Sequence, residues 1–181
     1  MKKILFAIVL ISSTTGAYAQ KYMTRSGKIS FFATGGTEKI EAINNEVASI
    51  LDSKSGDVVF QVPVKSFKFA SALMEEHFNE NYIESDKFPK SDLKGKVSNI
   101  SEVNFEKDGA YKVTVVGKLT MHGVTKEVSV PGTITVKGKQ ITLSSKFKVL
   151  LADYEIKIPS VVKDKIAKDA EITVNSILDQ K

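Results

Sequence analysis

Two histidines, His77 and His122, are the only imidazoles in the 181 residues, so metal or general-base chemistry would have to run through them. They fall in different segments, and no carboxylate stands at a recognised ligand spacing from either. A metal centre would need the fold to bring the pair together with Glu76 or another acid. Glu75 and Glu76 are adjacent, so on a helix they point to different sides. Asp153 and Glu155 alternate around Tyr154. No G-x-S-x-G turn occurs to seat a nucleophilic serine, and Gly35-Gly36 is a lone pair that reads as a bend, not a phosphate cradle. The chain has no cysteine, which excludes thiolate nucleophiles, zinc–thiolate sites, disulfides and the acylated cysteine of a lipoprotein. These residues point to a protein that is not an enzyme, with no metal and no cofactor. The alternative, a metal-dependent enzyme or redox factor using His77 and His122, requires the two imidazoles to lie within about 5 Å of each other.

The apolar residues offer more. Phe60, Phe67, Phe69, Leu73, Phe78, Tyr82, Phe88, Met121 and Phe147 gather around one helical segment and the strands it should cover. On residue type alone such side chains form a packed core. The functional reading is a ligand cavity lined by inward-facing positions, with the helix as a lid. Strand parity and the helix stripe nominate Phe60, Phe67, Phe69, Leu73, His77, Phe78, Tyr82, Met121 and Phe147 for its wall.

The elements that must position them follow from periodicity. Gln140 onward places Ile141, Leu143, Ser145, Phe147, Val149 and Leu151 on one face, with Thr142, Ser144, Lys146 and Lys148 on the other, as a half-buried strand requires. Ala110–Met121 does the same with Tyr111, Val113, Val115, Leu119 and Met121. Val124–Val136 shares a face through Val128, Val130, Ile134 and Val136. His122-Gly123, Lys137-Gly138-Lys139 and Asp108-Gly109 are hairpin joints, the last joining a strand expected over Val97–Lys107. Further strands are expected at Lys28–Thr34, Glu38–Ile43, Glu46–Asp52, Asp57–Val64 and Glu171–Leu178. Phe69–Tyr82 has helical spacing, and Ser160–Ala167, after Pro159, reads as a short second helix. An open sheet of eight or nine such strands would expose edges and an apolar face. Closure into an eight-stranded antiparallel barrel removes both problems, although a two-sheet sandwich satisfies the same pattern.

Lys2 and Lys3, the apolar run Ile4–Ile11 and Ala17-Tyr18-Ala19 read as a signal peptide over residues 1–19, too short in its apolar part to span a bilayer. Cleavage leaves a single domain of 162 residues over 20–181, exported to the periplasm or beyond and carrying no membrane anchor. The excess of basic over acidic residues is 5, falling to 3 without Lys2 and Lys3. Arg25 is the only arginine and the charges are interspersed, so a nucleic-acid partner is not supported.

The stretch Gly117-Lys118-Leu119-Thr120-Met121-His122-Gly123-Val124-Thr125-Lys126 resembles the strand and turn of the YceI-like family, and His77-Phe78-Asn79 through Ser85-Asp86-Lys87-Phe88-Pro89 resembles its helix-and-loop segment. The resemblance covers essentially all of the mature chain. It implies a lipocalin-like periplasmic barrel that binds an isoprenoid lipid, quinone-like molecule or similar amphiphile, with no established catalysis. A structural β-domain without ligand is the remaining alternative, and a homodimer is compatible with every reading.

Overall fold

The computed structural model describes residues 21–35, 38–158 and 168–181. The signal peptide expected over 1–19 and the helix expected over Ser160–Ala167 lie outside them. Nine strands follow in chain order: β1 (Lys21–Gly35), β2 (Glu38–Asp52), β3 (Asp57–Pro63), β4 (Lys68–Phe69), β5 (Lys90–Val97), β6 (Gly109–Met121), β7 (Val124–Lys137), β8 (Gln140–Leu150) and β9 (Asp169–Gln180). Between β4 and β5 lies helix α1 (Ala72–His77), continued by a π-type turn over Phe78–Tyr82. All pairings are antiparallel. β1 pairs with both β9 and β2, which closes a ring of eight strands, and β4 adds a ninth beside β2 through Ala42 and Ile43. The barrel expected from the alternation is therefore the fold, and closure leaves the ring without a free end strand.

The ring is filled unevenly. Toward the end that holds the β2–β3 and β7–β8 hairpins, Tyr22, Val47, Leu51, Val136, Ile141 and Leu178 are buried to within 2 % exposure. The segment between β5 and β6 plugs that end: Val103 is buried, and Phe105 stacks on Tyr22 with ring centroids 5.6 Å apart. The two ends of the described chain meet there, where the Lys181 N–H donates to the Lys21 carbonyl at 2.8 Å. A second apolar cluster (Ala33, Val64, Ile83, Val149, Tyr154, Ile156 and Ala170) sits at the opposite end, beneath the helix.

Three expectations are corrected. The strand expected over Val97–Lys107 ends where it was to begin: β5 is Lys90–Val97, and Ile100–Glu102 is a single helical turn within the plug. The helix begins at Ala72, not Phe69, because Phe69 pairs with Ala42 as part of β4 and the Ser71 hydroxyl caps the helix by accepting from the Met74 N–H. Glu38–Ile43 and Glu46–Asp52 are one strand. Asn44 is fully buried inside it, its Nδ2 donating to the Pro63 carbonyl and its Oδ1 accepting from the Glu46 N–H, both at 2.8 Å. Those bonds hold a β-bulge, where the β1–β2 register shifts.

Candidate ligand cavity

Above the packed end the inward-facing rows stop meeting, and a cavity of about 180 Å³ remains between the two apolar clusters. Its wall takes one or more inward residues from each ring strand, among them Phe31 of β1, Phe60 of β3, Leu93 of β5, Met121 of β6, Ile134 of β7 and Phe147 of β8. Among the described residues the wall contains no titratable side chain, and its only hydroxyl-bearing residues are Ser91, Thr133, Ser144 and Ser145. Almost none of the surface facing the void is polar, so it offers ordered water few partners and favours an apolar occupant.

Phe78, the first residue of the π-type turn, forms the roof. Its ring lies 5.4 Å from Phe31, 5.8 Å from Phe67 and 5.0 Å from Phe69, with Phe31 also 5.3 Å from Phe67 and 5.8 Å from Phe69. Aromatic pairs at such separations stabilise by about 0.5–1.5 kcal/mol each beyond their buried area, so the cluster pins the helix across the barrel.

The roof is also clasped to the wall. His122 and Gly123 both have positive φ, 51° and 76°, as a type I′ hairpin turn between β6 and β7 demands. A Cβ on Gly123 would lie 2.5 Å from the Phe88 ring, which packs edge-on to His122 at 4.7 Å. His122 Nδ1 is hydrogen-bonded to the Tyr154 carbonyl at 2.9 Å, and Nε2 to the Glu84 carboxylate at 3.0 Å. Lys87 first, and then His122, hold the Glu84 carboxyl below the ordinary carboxylate range.

Of the nominated wall residues, Phe60, Phe67, Phe78, Met121 and Phe147 border the cavity. Phe69 stands one ring behind, against Phe31 and Phe78. Tyr82 packs in the cluster under the helix without bordering the space. Leu73 is 59 % exposed and His77 is exposed at the end of α1. His122 has both ring nitrogens hydrogen-bonded to protein oxygens, and no group of three or more metal-binding side chains occurs among the described residues. The inward rows of β1 and β9, represented by Ile29, Phe31, Ile172 and Val174, were not nominated. Their alternation was readable, but they carry few of the large side chains that drew attention to the helix.

The family model for the YceI-like domain matches residues 14–177. The chain belongs to the YceI-like family. Among solved structures, this YceI-like chain is similar to a polyisoprenoid-binding domain from Saccharophagus degradans implicated in plant cell wall breakdown, with a TM-score of 0.78 at 11 % identity over 90 % of this chain and 99 % of that one. It is also similar to BcnA of Burkholderia cenocepacia (TM-score 0.70, 16 % identity, 83 % of this chain and 95 % of that). A Campylobacter jejuni YceI protein matches with a TM-score of 0.59 at 15 % identity, over 76 % of this chain and 83 % of that. No curated protein matches at a significant level. At these identities the likeness shows a shared barrel.

Proposed function

We propose that this YceI-like domain is an exported carrier that holds the tail of an isoprenoid-type lipid or similar amphiphile inside its barrel and performs no bond chemistry on it. The observation that carries the reading is the apolar cavity, bordered by no titratable side chain among the described residues and closed at one end by packed side chains. Affinity there needs no specific hydrogen bond: each methylene moved from water into the cavity contributes about 0.8 kcal/mol before the costs of association. The polyisoprenoid-binding relative of the same fold supports the tail chemistry. The signal-like residues 1–19 support a periplasmic place of action.

The test is direct. Protein purified without detergent is extracted with organic solvent and the extract read by mass spectrometry, while emptied protein is titrated with a fluorescent apolar probe. A co-purifying lipid and saturable probe binding, abolished by the cavity-filling substitution Val115→Trp, are expected. Absence of probe binding by the emptied wild type, or binding indifferent to Val115→Trp, would overturn the carrier reading.

A further inference from the structure

β6 and β7 pair along thirteen positions, from Gly109↔Val136 to Met121↔Val124, and β8 and β9 pair along eleven. The β7–β8 ladder, by contrast, runs only from Lys137↔Gln140 to Gly132↔Ser145. Beyond that point residues 124–131 of β7 and 146–150 of β8 have no ladder to each other, although each strand remains paired on its other side. The barrel wall is thus split over the half nearest the helix. The split has two fastened corners: Ser145 Oγ donates to the Pro131 carbonyl at 2.6 Å at the bottom, and His122 bonds the Tyr154 carbonyl at the top. Its flanks are the cavity-lining Val130 on one side and Phe147 and Val149 on the other. The roof above is closed with apolar groups, including Phe78, Ile83 and Ile156. Among the described residues, the split is therefore the part of the wall where a polar group joined to a buried tail can stay in water.

Insertion of a further strand is disfavoured there. Pro131 lacks an N–H, and Lys146 and Lys148 stand along the β8 side paired to Glu171 and Asp169, which are devices that blunt strand addition.

Parity then singles out one residue. On β6 the inward row includes Leu119 and Met121, and their partners on β7 are Lys126 and Val124. Lys126 therefore belongs to the inward row of β7, between Val124 and Val128, alongside the split. Across β5–β9 it is the only charged residue on an inward row. It is exposed and has no ion-pair partner among the described residues. An uncompensated cation at the rim of an apolar cavity recognises an anion attached to an apolar tail.

We infer that the ligand is an anionic amphiphile whose tail fills the cavity and whose charged head rests at Lys126 in the β7–β8 split. The inference rests on the carrier reading above and adds the head-group chemistry, a phosphate or a carboxylate.

The experiment compares three ligands with the same tail, farnesyl phosphate, farnesoic acid and farnesol, by competition against the apolar probe on wild type, Lys126→Met and Lys94→Met. Lys94 lies on the outward row of β5, so its removal changes net charge equally without touching the split. Wild type and Lys94→Met should bind at least one of the two anionic ligands roughly fivefold tighter than farnesol, as suits an exposed ion pair. Lys126→Met should lose that preference with an unchanged thermal melt. The ratio of the two anionic affinities assigns phosphate or carboxylate. Equal binding of all three ligands by wild type, retention of the preference by Lys126→Met, or its loss in both variants would each overturn the head-group site. Failure of even farnesol to compete would instead bring down the carrier reading, and the head-group site with it.

Discussion

Leu178 and Leu93 both face the barrel interior, yet Leu178 is fully buried in packed material and Leu93 borders the cavity. Truncating either to alanine removes the same three carbons, so the two substitutions read the filling of the barrel at two depths. At about 0.8 kcal/mol per buried methylene the transfer loss at full burial is about 2.4 kcal/mol. At Leu178 a new void adds to this, and the total reaches about 3–5 kcal/mol. Leu93 already lacks neighbours on one side, so it forfeits fewer dispersion contacts and opens no separate void, for about 1–2 kcal/mol. Ligand binding should respond in the opposite sense. Leu93→Ala strips contacts from the tail and weakens an apolar probe roughly tenfold, about 1.4 kcal/mol, whereas Leu178→Ala leaves its affinity unchanged. Urea unfolding followed by far-ultraviolet circular dichroism measures stability, since the chain has no tryptophan to report by fluorescence. Equal destabilisation at the two sites, or weaker probe binding by the Leu178 variant than by the Leu93 variant, refutes the division into a packed end and a hollow end.

Other perturbations probe the clasp and the buried polar groups. Gly123→Ala meets both a positive φ and the Phe88 ring, and should cost more than Gly138→Ala, where φ is 57° but a Cβ would touch nothing within 4 Å; thermal melts should separate them by about 1–3 kcal/mol. Because Lys87 and His122 depress the folded-state pKa of Glu84, its contribution to stability is present above the ordinary carboxylate range and is lost as pH falls through the depressed value. Glu84→Gln should therefore flatten the acid side of a plot of melting temperature against pH, and an acid side as steep as the wild type's would contradict this. Ser49 and Ser176 bury hydroxyls without a hydrogen-bond partner among the described residues. Ser176→Ala should be neutral or stabilising by about 1 kcal/mol, and a loss of that size in a urea titration would show that the hydroxyl has a partner.

The barrel was legible in β6, β7 and β8 because their alternation continues from the packed end into the cavity: an inward row must be apolar whether it meets side chains or a ligand. β5 escaped notice for a related reason. Its inward row is Ser91, Leu93, Gly95 and Val97, and small residues suffice where β5 and β6 press together: a Cβ on Gly117 would lie 2.4 Å from the Gly95 Cα. The plug imitates a strand because Val103 and Phe105 are two apart, and no local signal separates an edge-on stopper from a ladder. Over the helical spacing of residues 69–82, Phe69, Leu73 and His77 share one i,i+4 stripe, and Met74, Phe78 and Tyr82 share the next. Tertiary packing chooses the second, leaving Leu73 and His77 in solvent. Charge alone puts Lys126 on a par with Lys87 and Lys90 as a resting place for a polar head; only the register shows that it stands in an apolar row. The β7–β8 split is likewise a property of pairing, and each of its strands reads as continuous on its own.

The meeting of Lys21 and Lys181 beneath the plug has a practical consequence. A surface, a fluorophore or a fusion partner attached at Lys181 would hang from the plugged end of the barrel, a full strand length away from His122 and Phe78. Binding of the proposed ligand could then be followed on immobilised protein without the attachment itself standing near the split or the roof.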